Sequence, residues 1–470
     1  MSMNIIRTIG LLVIPLIFVS CVAHQRMAED RHTQPNILFL FSDDQQHDAI
    51  RALGNKHIIT PNLDRLIENG YAFRQTYCMG SNSGAVCGPS RAMLMTGRTL
   101  YRALSNGSYS TLPDVPLWPE IFRRSGYRTF VTGKWHNGRA AFRRSFTDGG
   151  AIFFGGMHSY DTGGHHEPRV RDFSQSGEYG DPPRIVKTFS SELFADATIQ
   201  FLRSRKQAEP FFAYVSFTAP HDPHHAPQEY VDLYKDIEIP LPGNFMPQHP
   251  FDNGELKIRD ELLAPFPRTP EVVREHLLQY YAMITHLDAQ IGRIIAVLDE
   301  LELRENTIII FSSDHGLAVG QHGLLGKQNL YEHSMRAPLI FSGPGIPRGE
   351  ASDAFAYLLD IHPTMCELAK LPIPSTVDGH SLVPVMRGQK ESVRDSVVLM
   401  YKGFQQAIRN KRYKLIRYQV NSVETMQLFD LQEDPLEINN LIDEPSLKKV
   451  KADLLELMRT RVNKINESRP

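Results

Sequence analysis

Four stretches of this chain run apolar for several residues and then end in groups that carry charge. Asn36 to Asp44 reads NILFLFSDD, Tyr127 to His136 reads YRTFVTGKWH, Phe211 to His221 reads FFAYVSFTAPH, and Thr307 to Gly316 reads TIIIFSSDHG. Continuous apolar runs bounded by turn residues suit strands buried on both faces of a parallel sheet. Segments of helical period lie between them, at Pro61–Asn69, Trp118–Ser125, Ser191–Ser204 and Val272–Leu301. Strands alternating with helices predict an α/β fold with a doubly wound, mostly parallel sheet. Ligands of such folds sit beyond the carboxyl ends of the strands. One polar strand end would be unremarkable, but four of them predict a shared active site.

The texture changes after Arg394. Ser396–Tyr401, Gln405–Arg409, Tyr413–Gln419 and Thr425–Asp430 read as short strands joined by turns, and Pro445 to Val462 reads as a helix with Leu447, Val450, Leu454, Leu457 and Met458 on one side. This predicts a small antiparallel sheet with a terminal helix, docked on the large sheet. Pro223 to Pro270 is Pro-rich and predicts a long irregular insertion bordering the site.

Composition removes several classes. Lys and Arg number 51 against 53 Asp and Glu, a net charge of −2. No whole-protein basic footprint for nucleic acid exists at that balance, so no nucleic-acid partner is expected. Four cysteines in 470 residues exclude a disulfide-dense scaffold. The N-terminus addresses the compartment. Ile9 to Val19 is an apolar run of eleven residues, too short to span a bilayer but suited to the core of a signal peptide. Phe18-Val19-Ser20-Cys21 looks like a lipobox that would anchor the protein by a lipid on Cys21. Cys21-Val22-Ala23 instead suits ordinary cleavage after Ala23, and both readings stand. Either way the mature protein is expected to be exported to the periplasm or cell surface, or secreted.

The chemistry collects around Cys87-Gly88-Pro89-Ser90-Arg91, followed by Thr96-Gly97-Arg98. Pro89 to Met95 can begin a helix with Pro in its first turn. A group just before that helix would face unpaired N–H donors suited to an anion. Alone, the pentapeptide reads equally well as a buried Cys in a tight loop, and an Asp pair at a strand end as a helix N-cap.

C-x-P-S-R followed by T-G-R resembles the signature of the formylglycine-dependent (type I) sulfatases of the alkaline-phosphatase superfamily. Asp43-Asp44, Gly133-Lys134-Trp135-His136, Pro220-His221, Ser313-Asp314-His315-Gly316 and Lys327 fall in the family's order. Tyr413-Lys414-Leu415-Ile416 and Leu428-Phe429-Asp430-Leu431 resemble its terminal subdomain, so the likeness runs from about Asn36 to Leu441. Together with the N-terminal apolar run and the change of texture after Arg394, it divides the chain into an expected signal peptide over 1–23, a linker over 24–34, a catalytic domain over 35–394 and a C-terminal subdomain over 395–470.

The resemblance further implies that a formylglycine-generating or equivalent maturation enzyme converts Cys87 to 3-oxoalanine (formylglycine). Its hydrate carries two hydroxyls, one to attack sulfur and one to expel the sulfate. Asp43, Asp44, Asp314 and His315, with residue 87, would hold one divalent cation, Ca²⁺ by the oxygen-rich ligand set, with Mg²⁺ as the alternative. Many arylsulfatases carry Asn where this chain has His315, whereas carbohydrate sulfatases such as iduronate-2-sulfatase carry His. Arg91 and Lys134 would neutralise the sulfate, His136 would act as base during release, and His221 and Lys327 would face the leaving oxygen, with His221 the general acid. Arg98 would brace the catalytic loop.

The remaining histidines divide between sugar contacts and surface loops. His322, near Lys327, reads as a substrate contact; His166, His224 and His225 would line a sugar pocket, and His158 and His165 share that Gly-rich neighbourhood. The surface-loop reading covers at least half of this second group. Cys78 and Cys366 read as free, buried thiols. The expected function is an exported sulfatase acting on a sulfated carbohydrate, an algal polysaccharide or glycosaminoglycan fragments. Two alternatives remain: a phosphonate monoester or phosphodiester hydrolase with the same chemistry, and a carbohydrate-binding pseudoenzyme with unmodified Cys87.

Overall fold

The computed structural model describes residues 34–205 and 209–467. The export segment, Cys21 and the linker up to His32 and Thr33 lie outside the described residues. Residues 35–470 form one compact unit. Among the described residues no helix is long and apolar enough to cross a membrane.

The four apolar runs are strands and lie side by side. In chain order the two main sheets use β1 (Asn36–Ser42), β2 (Tyr71–Tyr77), β3 (Gly80–Ser81), β4 (Arg128–Lys134), β5 (Asp148–Phe153), β6 (Phe211–Ser216), β7 (Thr307–Ser313), β8 (Arg336–Ala337), β9 (Leu339–Ser342), β10 (Glu350–Tyr357), β11 (Val397–Tyr401), β12 (Gln405–Arg409), β13 (Tyr413–Val420) and β14 (Val423–Asp430). The large sheet has the order β8-β2-β9-β7-β1-β6-β4-β5, with β10 also paired to β2. From β7 through β1, β6 and β4 to β5 every pairing is parallel. The four charged strand ends therefore emerge along one edge.

Each of β1, β6 and β7 is buried at every residue, because both faces are covered. Ile37, Phe39 and Phe41 point into one core cluster and Leu38 and Leu40 into the other, the period-2 alternation of a strand. Helices α1 (Pro61–Glu68), α4 (Ser190–Arg203) and α5 (Pro270–Glu300) contribute to the second cluster through Leu63, Phe194 and Ile291. Helices α2 (Cys87–Thr96) and α3 (Trp118–Arg124) contribute to the first, where Trp118 meets Phe39 and Phe212 edge-on, each at 5.0 Å. Full burial of one such aromatic stabilises by about 1.5–3 kcal/mol.

The small sheet, order β14-β13-β12-β11-β3, packs on that first cluster and is antiparallel except for the β11–β3 pair. Leu454, Met458 and Val462 of the terminal helix α6 (Lys448–Asn466) are its buried stripe. Several elements were not visible in the strand-and-helix pattern, among them three strands of the large sheet. The segments β2, β9 and β10 extend the large sheet beyond β7, with β9 antiparallel to both β2 and β7. Their runs are short or broken by polar residues, as in YAFRQTY, so no period stands out.

The helix carrying Cys87 is anchored at its far end. Gly97 adopts φ +66 as its C-cap and donates N–H to Met93 O at 2.8 Å. A Cβ there would lie 3.0 Å from His362 Nδ1 and from both Val377 methyls, so glycine serves both the backbone turn and the close approach. Burial pushes fully buried His362 down to about 3. Its folded value lies below the unfolded one, so between pH 6.5 and about 3 the unfolded chain takes a proton that the folded chain refuses. Stability is expected to fall over that window by on the order of 1 kcal/mol per pH unit from this residue. Melting temperatures from pH 7 to 4 should decline less steeply in His362→Leu than in the parent; parallel curves would refute the assignment.

Candidate active site

The carboxyl ends of β1, β4, β6 and β7 converge on the first turn of α2. Cys87 is the first residue of that helix rather than a residue before it, so the helix begins two residues earlier than the expected start at Pro89. Ser90 N–H reaches back to Val86 O, and Ser90 Oγ donates to Asp314 O at 2.7 Å. Gly88 has no room for a side chain, since a Cβ would stand 2.3 Å from the Tyr109 ring. That ring packs edge-on against His136 at 5.4 Å, and Asn137 Nδ2 ties Gly88 O to Tyr109 O at 3.1 Å each. Gly88→Ala is expected to displace both helix start and His136, lowering turnover roughly 10- to 100-fold by misplacement alone. Steady-state kinetics at unchanged melting temperature checks this.

Around the Cys87 sulfur stand His315 Nε2 at 3.3 Å, Lys327 Nζ at 3.5 Å and Asp44 Oδ1 at 3.8 Å. Asp44, Cys87 and His315 form one set of ligand atoms within 4.8 Å of one another, and Asp43, Cys87 and Asp314 form a second. Lys134 Nζ lies 2.5 Å from Asp43 Oδ2, and Lys327 Nζ lies 2.7 Å from Asp44 Oδ2. Arg91 contacts Asp314 Oδ2 through both Nε and Nη2 at 3.1 Å, donates to Ser216 Oγ at 2.6 Å, and lies over the Phe41 ring at 4.9 Å. All of these groups are buried. Three carboxylates and three cations are thus interleaved out of water, where each charge needs its partner.

Charge sets the protonation states. Burial alone would raise the Cys87 thiol, but Lys134 and Lys327 outweigh it and hold the thiol well below its ordinary value. At Cys78 burial prevails and the thiol is pushed up to about 12, as it is at Cys366. Cys78, Cys87 and Cys366 are free and buried, yet only Cys87 sits among cations that activate it. Asp43 is held well below the carboxylate range, because Lys134 and Arg91 outweigh its burial. Burial and the neighbouring Asp43 push Asp314 up to about 7. Burial, with Lys134 and Arg91 adding to it, pushes His136 down to about 2, so its imidazole is neutral.

The donor set fits a divalent cation. Asp43 Oδ1 is buried without a hydrogen bond and faces Arg91 Nη2 at 3.4 Å. His315 Nδ1 lies 2.8 Å from Gly316 O, a contact that keeps a proton on Nδ1 and aims Nε2 at Cys87, Asp44 and Asp314, where it would serve as the ligand atom. Asp44 has the left-handed φ of 67, rare for a residue with a side chain. Tyr280 of α5 donates to Asp44 O and accepts from Gln46 N–H, each at 2.8 Å, and so pins this turn. Strain of this kind collects at functional sites.

Comparison with known proteins agrees with this geometry. The family model "Sulfatase" matches residues 35–371, more than two thirds of the chain, and "N-sulphoglucosamine sulphohydrolase, C-terminal" matches residues 320–464. The chain belongs to the sulfatase family. Its superfamily is the alkaline-phosphatase-like one, and the protein is a sulfuric ester hydrolase. This sulfatase is 25% identical to an N-acetylglucosamine-6-O-sulfatase of Bacteroides thetaiotaomicron, over 98% of the chain and 92% of the relative. It is 29% identical to an ulvan-active sulfatase of Formosa agariphila, over 97% and 86%. A solved structure of a protein bound to its substrate D-glucosamine-2-N,6-O-disulfate superposes with TM-score 0.76 and 24% identity, covering 92% of this chain and 98% of that one. Phosphonate monoester hydrolases share the fold as well.

Of the residues singled out from sequence, the sulfatase brings Asp43, Asp44, Cys87, Arg91, Lys134, His221, Asp314, His315 and Lys327 together, with half-buried His136 beside them. His221 Nε2 is 2.8 Å from Lys327 Nζ and 3.7 Å from Asp44 Oδ2. His322 is not brought to this group. The segment from Ala318 to Gly326 folds back on itself through Ala318 N–Gly326 O and Gly320 N–Leu324 O bonds, leaving Lys327 just past its base and His322 at its tip. There His322 stacks on Tyr331 at 3.9 Å and its Nε2 meets Glu437 O at 2.9 Å. Nearness in sequence failed because the two residues lie at opposite ends of a turn.

The surface-loop reading holds for His225 alone. His158 and His165 are buried, and His224 and His166 are half-buried. His165 bridges Ser190 Oγ and His221 O at 2.8 Å each, a supporting position behind the site. His166 and His225 lie together with Tyr160 and Glu167 along a cavity of about 310 Å³. His224 instead packs edge-on against Tyr280. Sequence reasoning quoted Ser90 within the motif without giving it a role, and missed Ser216, Tyr280 and Asp222. Of these three, Asp222 had a local signal, since it follows His221 directly; Ser216 and Tyr280 act across long sequence separations.

Proposed function

We propose that this sulfatase is an exported enzyme that removes sulfate from a sulfated carbohydrate, with formylglycine at position 87 and a Ca²⁺ ion. The observation that carries the reading is Cys87 at a helix start with a buried metal-type donor set on one side and Lys134, Lys327, His136 and His221 on the others. The anionic sulfo group of a sulfate ester needs positive charge, and a leaving alcohol needs a proton; both kinds of group are present within one buried cluster. The similarity to sulfatases named for N-acetylglucosamine 6-O-sulfate and for ulvan supports a carbohydrate substrate. Export rests on the apolar run Ile9–Val19, and the maturation enzyme on the C-x-P-S-R motif.

A hydrated formylglycine supplies two hydroxyls on one carbon, the first to attack sulfur and the second to release sulfate. A cation held by Asp43, Asp44, Asp314 and His315 supplies charge to the sulfate oxygens. Lys134 and Arg91 hold the carboxylates in place and add to that positive field. Neutral His136 can accept a proton from a hydroxyl at position 87 during release. His221 and Lys327, paired at 2.8 Å, hold the proton for the leaving oxygen. At 2.8 Å the two nitrogens have room for one proton between them; Asp44 and Asp222 draw it toward His221 while burial and Lys327 oppose that, and the net direction for His221 is upward.

The test is release of inorganic sulfate from defined sulfated oligosaccharides by protein purified from a host that converts the motif cysteine. Sulfate release from at least one sugar ester, exceeding turnover of an aryl phosphonate ester, is the expected result. Faster turnover of the phosphonate ester would replace the reading with that of a phosphonate hydrolase. Sugar binding without turnover would make the protein a carbohydrate-binding pseudoenzyme.

A further inference from the structure

The irregular insertion between Pro223 and Pro270 reaches the leaving-group side of the site through three consecutive residues. Arg259 spans two loops: Nη1 and Nη2 grip the Asp222 carboxylate, the latter at 3.0 Å, and Nη2 also donates to Asp260 Oδ1 at 2.6 Å. Asp222 Oδ1 lies 3.1 Å from His221 Nδ1. Asp260 Oδ2 accepts from Gln328 Nε2 at 2.9 Å, and Gln328 Oε1 accepts from the Lys327 N–H at 3.0 Å. The Lys327 ammonium then meets His221 Nε2 at 2.8 Å. These contacts close a ring: His221, Asp222, Arg259, Asp260, Gln328, Lys327 and back to His221. Glu261 reinforces it by accepting from the Leu325 and Gly326 N–H groups at 2.9 and 2.8 Å, itself held by buried Arg268 at 2.8 Å.

We propose that Arg259 and Asp260 are positioning residues that set His221 and Lys327 at their mutual distance for proton delivery to the leaving oxygen. The proposal rests on the reading that those two residues face that oxygen. The strand ends fix Asp43, Lys134 and Asp314 directly, because each lies at or immediately after a sheet strand. His221 lies five residues past β6 and Lys327 fourteen past β7, so the sheet alone holds neither. Asp44 holds the Lys327 ammonium at 2.7 Å and the Asp222 carbonyl accepts from His221 Nδ1 at 2.9 Å. Arg259 adds the link that ties the Asp222 loop to the insertion and, through Asp260 and Gln328, to the Lys327 backbone. It neutralises two carboxylates from different segments, and without it those carboxylates repel and the ring opens. Its side chain is 44% exposed and Asp222's 4%, so removing the guanidinium empties no core volume but leaves a buried carboxylate with only His221 to balance it. Melting temperatures are therefore read beside the kinetics.

The experiment is a leaving-group series on the full chain with formylglycine in place: sulfate esters from nitrophenol to simple alkyl alcohols, and variants R259Q, R259K, D260N and R259Q/D260N. Nitrophenolate departs without a proton, whereas an alkoxide does not. R259Q and D260N are expected to lower kcat for alkyl sulfates about 10- to 100-fold, and for nitrophenyl sulfate less than about threefold, with KM within about threefold. R259K is expected to recover part of the alkyl loss. The double variant is expected to match the worse single, because either cut opens the same ring. An equal factor for every leaving group, or double losses that multiply, would overturn the proposal while leaving the sulfatase reading intact. A parent enzyme inert on every ester would overturn both.

Discussion

Cys87→Ala is expected to lower sulfate release by at least about 10⁴-fold, the scale on which enzymes lose a covalent nucleophile. The fold should survive, because alanine keeps the helix start and the surrounding ion pairs do not depend on sulfur. Cys366→Ala, at a buried thiol remote in sequence from the motif, is the control and should retain activity within severalfold. Mass analysis of the Cys87 peptide supplies the second readout: active protein should carry an aldehyde oxygen where the thiol was. Unmodified thiol in fully active material, or turnover retained in Cys87→Ala, would eliminate the nucleophile assignment. The surroundings make the site demanding. The cations that hold the Cys87 thiol well below its ordinary value would equally stabilise a developing alkoxide at that position.

Removing divalent cations is expected to cost at least about 10²-fold in turnover, and adding Ca²⁺ to restore it. Two buried carboxylates at adjacent positions and a third within one ligand set repel one another, which is why burial and Asp43 push Asp314 up to about 7. A cation relieves that repulsion in the folded state only. At 100 times its dissociation constant it would add about 2.7 kcal/mol of stability, seen as a higher melting temperature. Asp44→Ala removes one oxygen donor and the partner of Lys327, so it should abolish both the Ca²⁺-dependent rise and most of the activity. Full turnover in protein shown free of bound metal would refute the cation's role. Equal restoration by Mg²⁺ would revise the ion while leaving the donors in place.

Much of the fold was legible because its signal is local. A strand covered on both faces is apolar through its middle, and β1, β6 and β7 carry polar residues only at their ends. Their charged ends then had to share an edge once the strands were parallel. The C-terminal strands were equally legible from short alternating runs between turns. The strands β2, β9 and β10 were not, since their pairing is decided by whichever partners the rest of the sheet leaves open. Within the site, the carboxylates and the strand-end lysine were legible for the same reason as the strands. His322 was misread because a turn between Ala318 and Gly326 sends it to Tyr331 and Glu437 while Lys327 goes to Cys87.

The sequence by itself determined the class of fold, the charged residues that end the four strands and the presence of a helix after the Cys87 motif. Each of those follows from short-range pattern: continuous apolar runs, turn residues, a helix with Pro in its first turn. The tertiary structure alone decided which cations meet which carboxylates, the left-handed turn at Asp44 held by Tyr280, and the closure of Asp222 onto Arg259. Asp222 and Arg259 are separated by 37 residues and Asp44 and Tyr280 by 236. No local pattern records such pairings, because the chain's folding path, rather than its neighbouring side chains, brings those charges within reach.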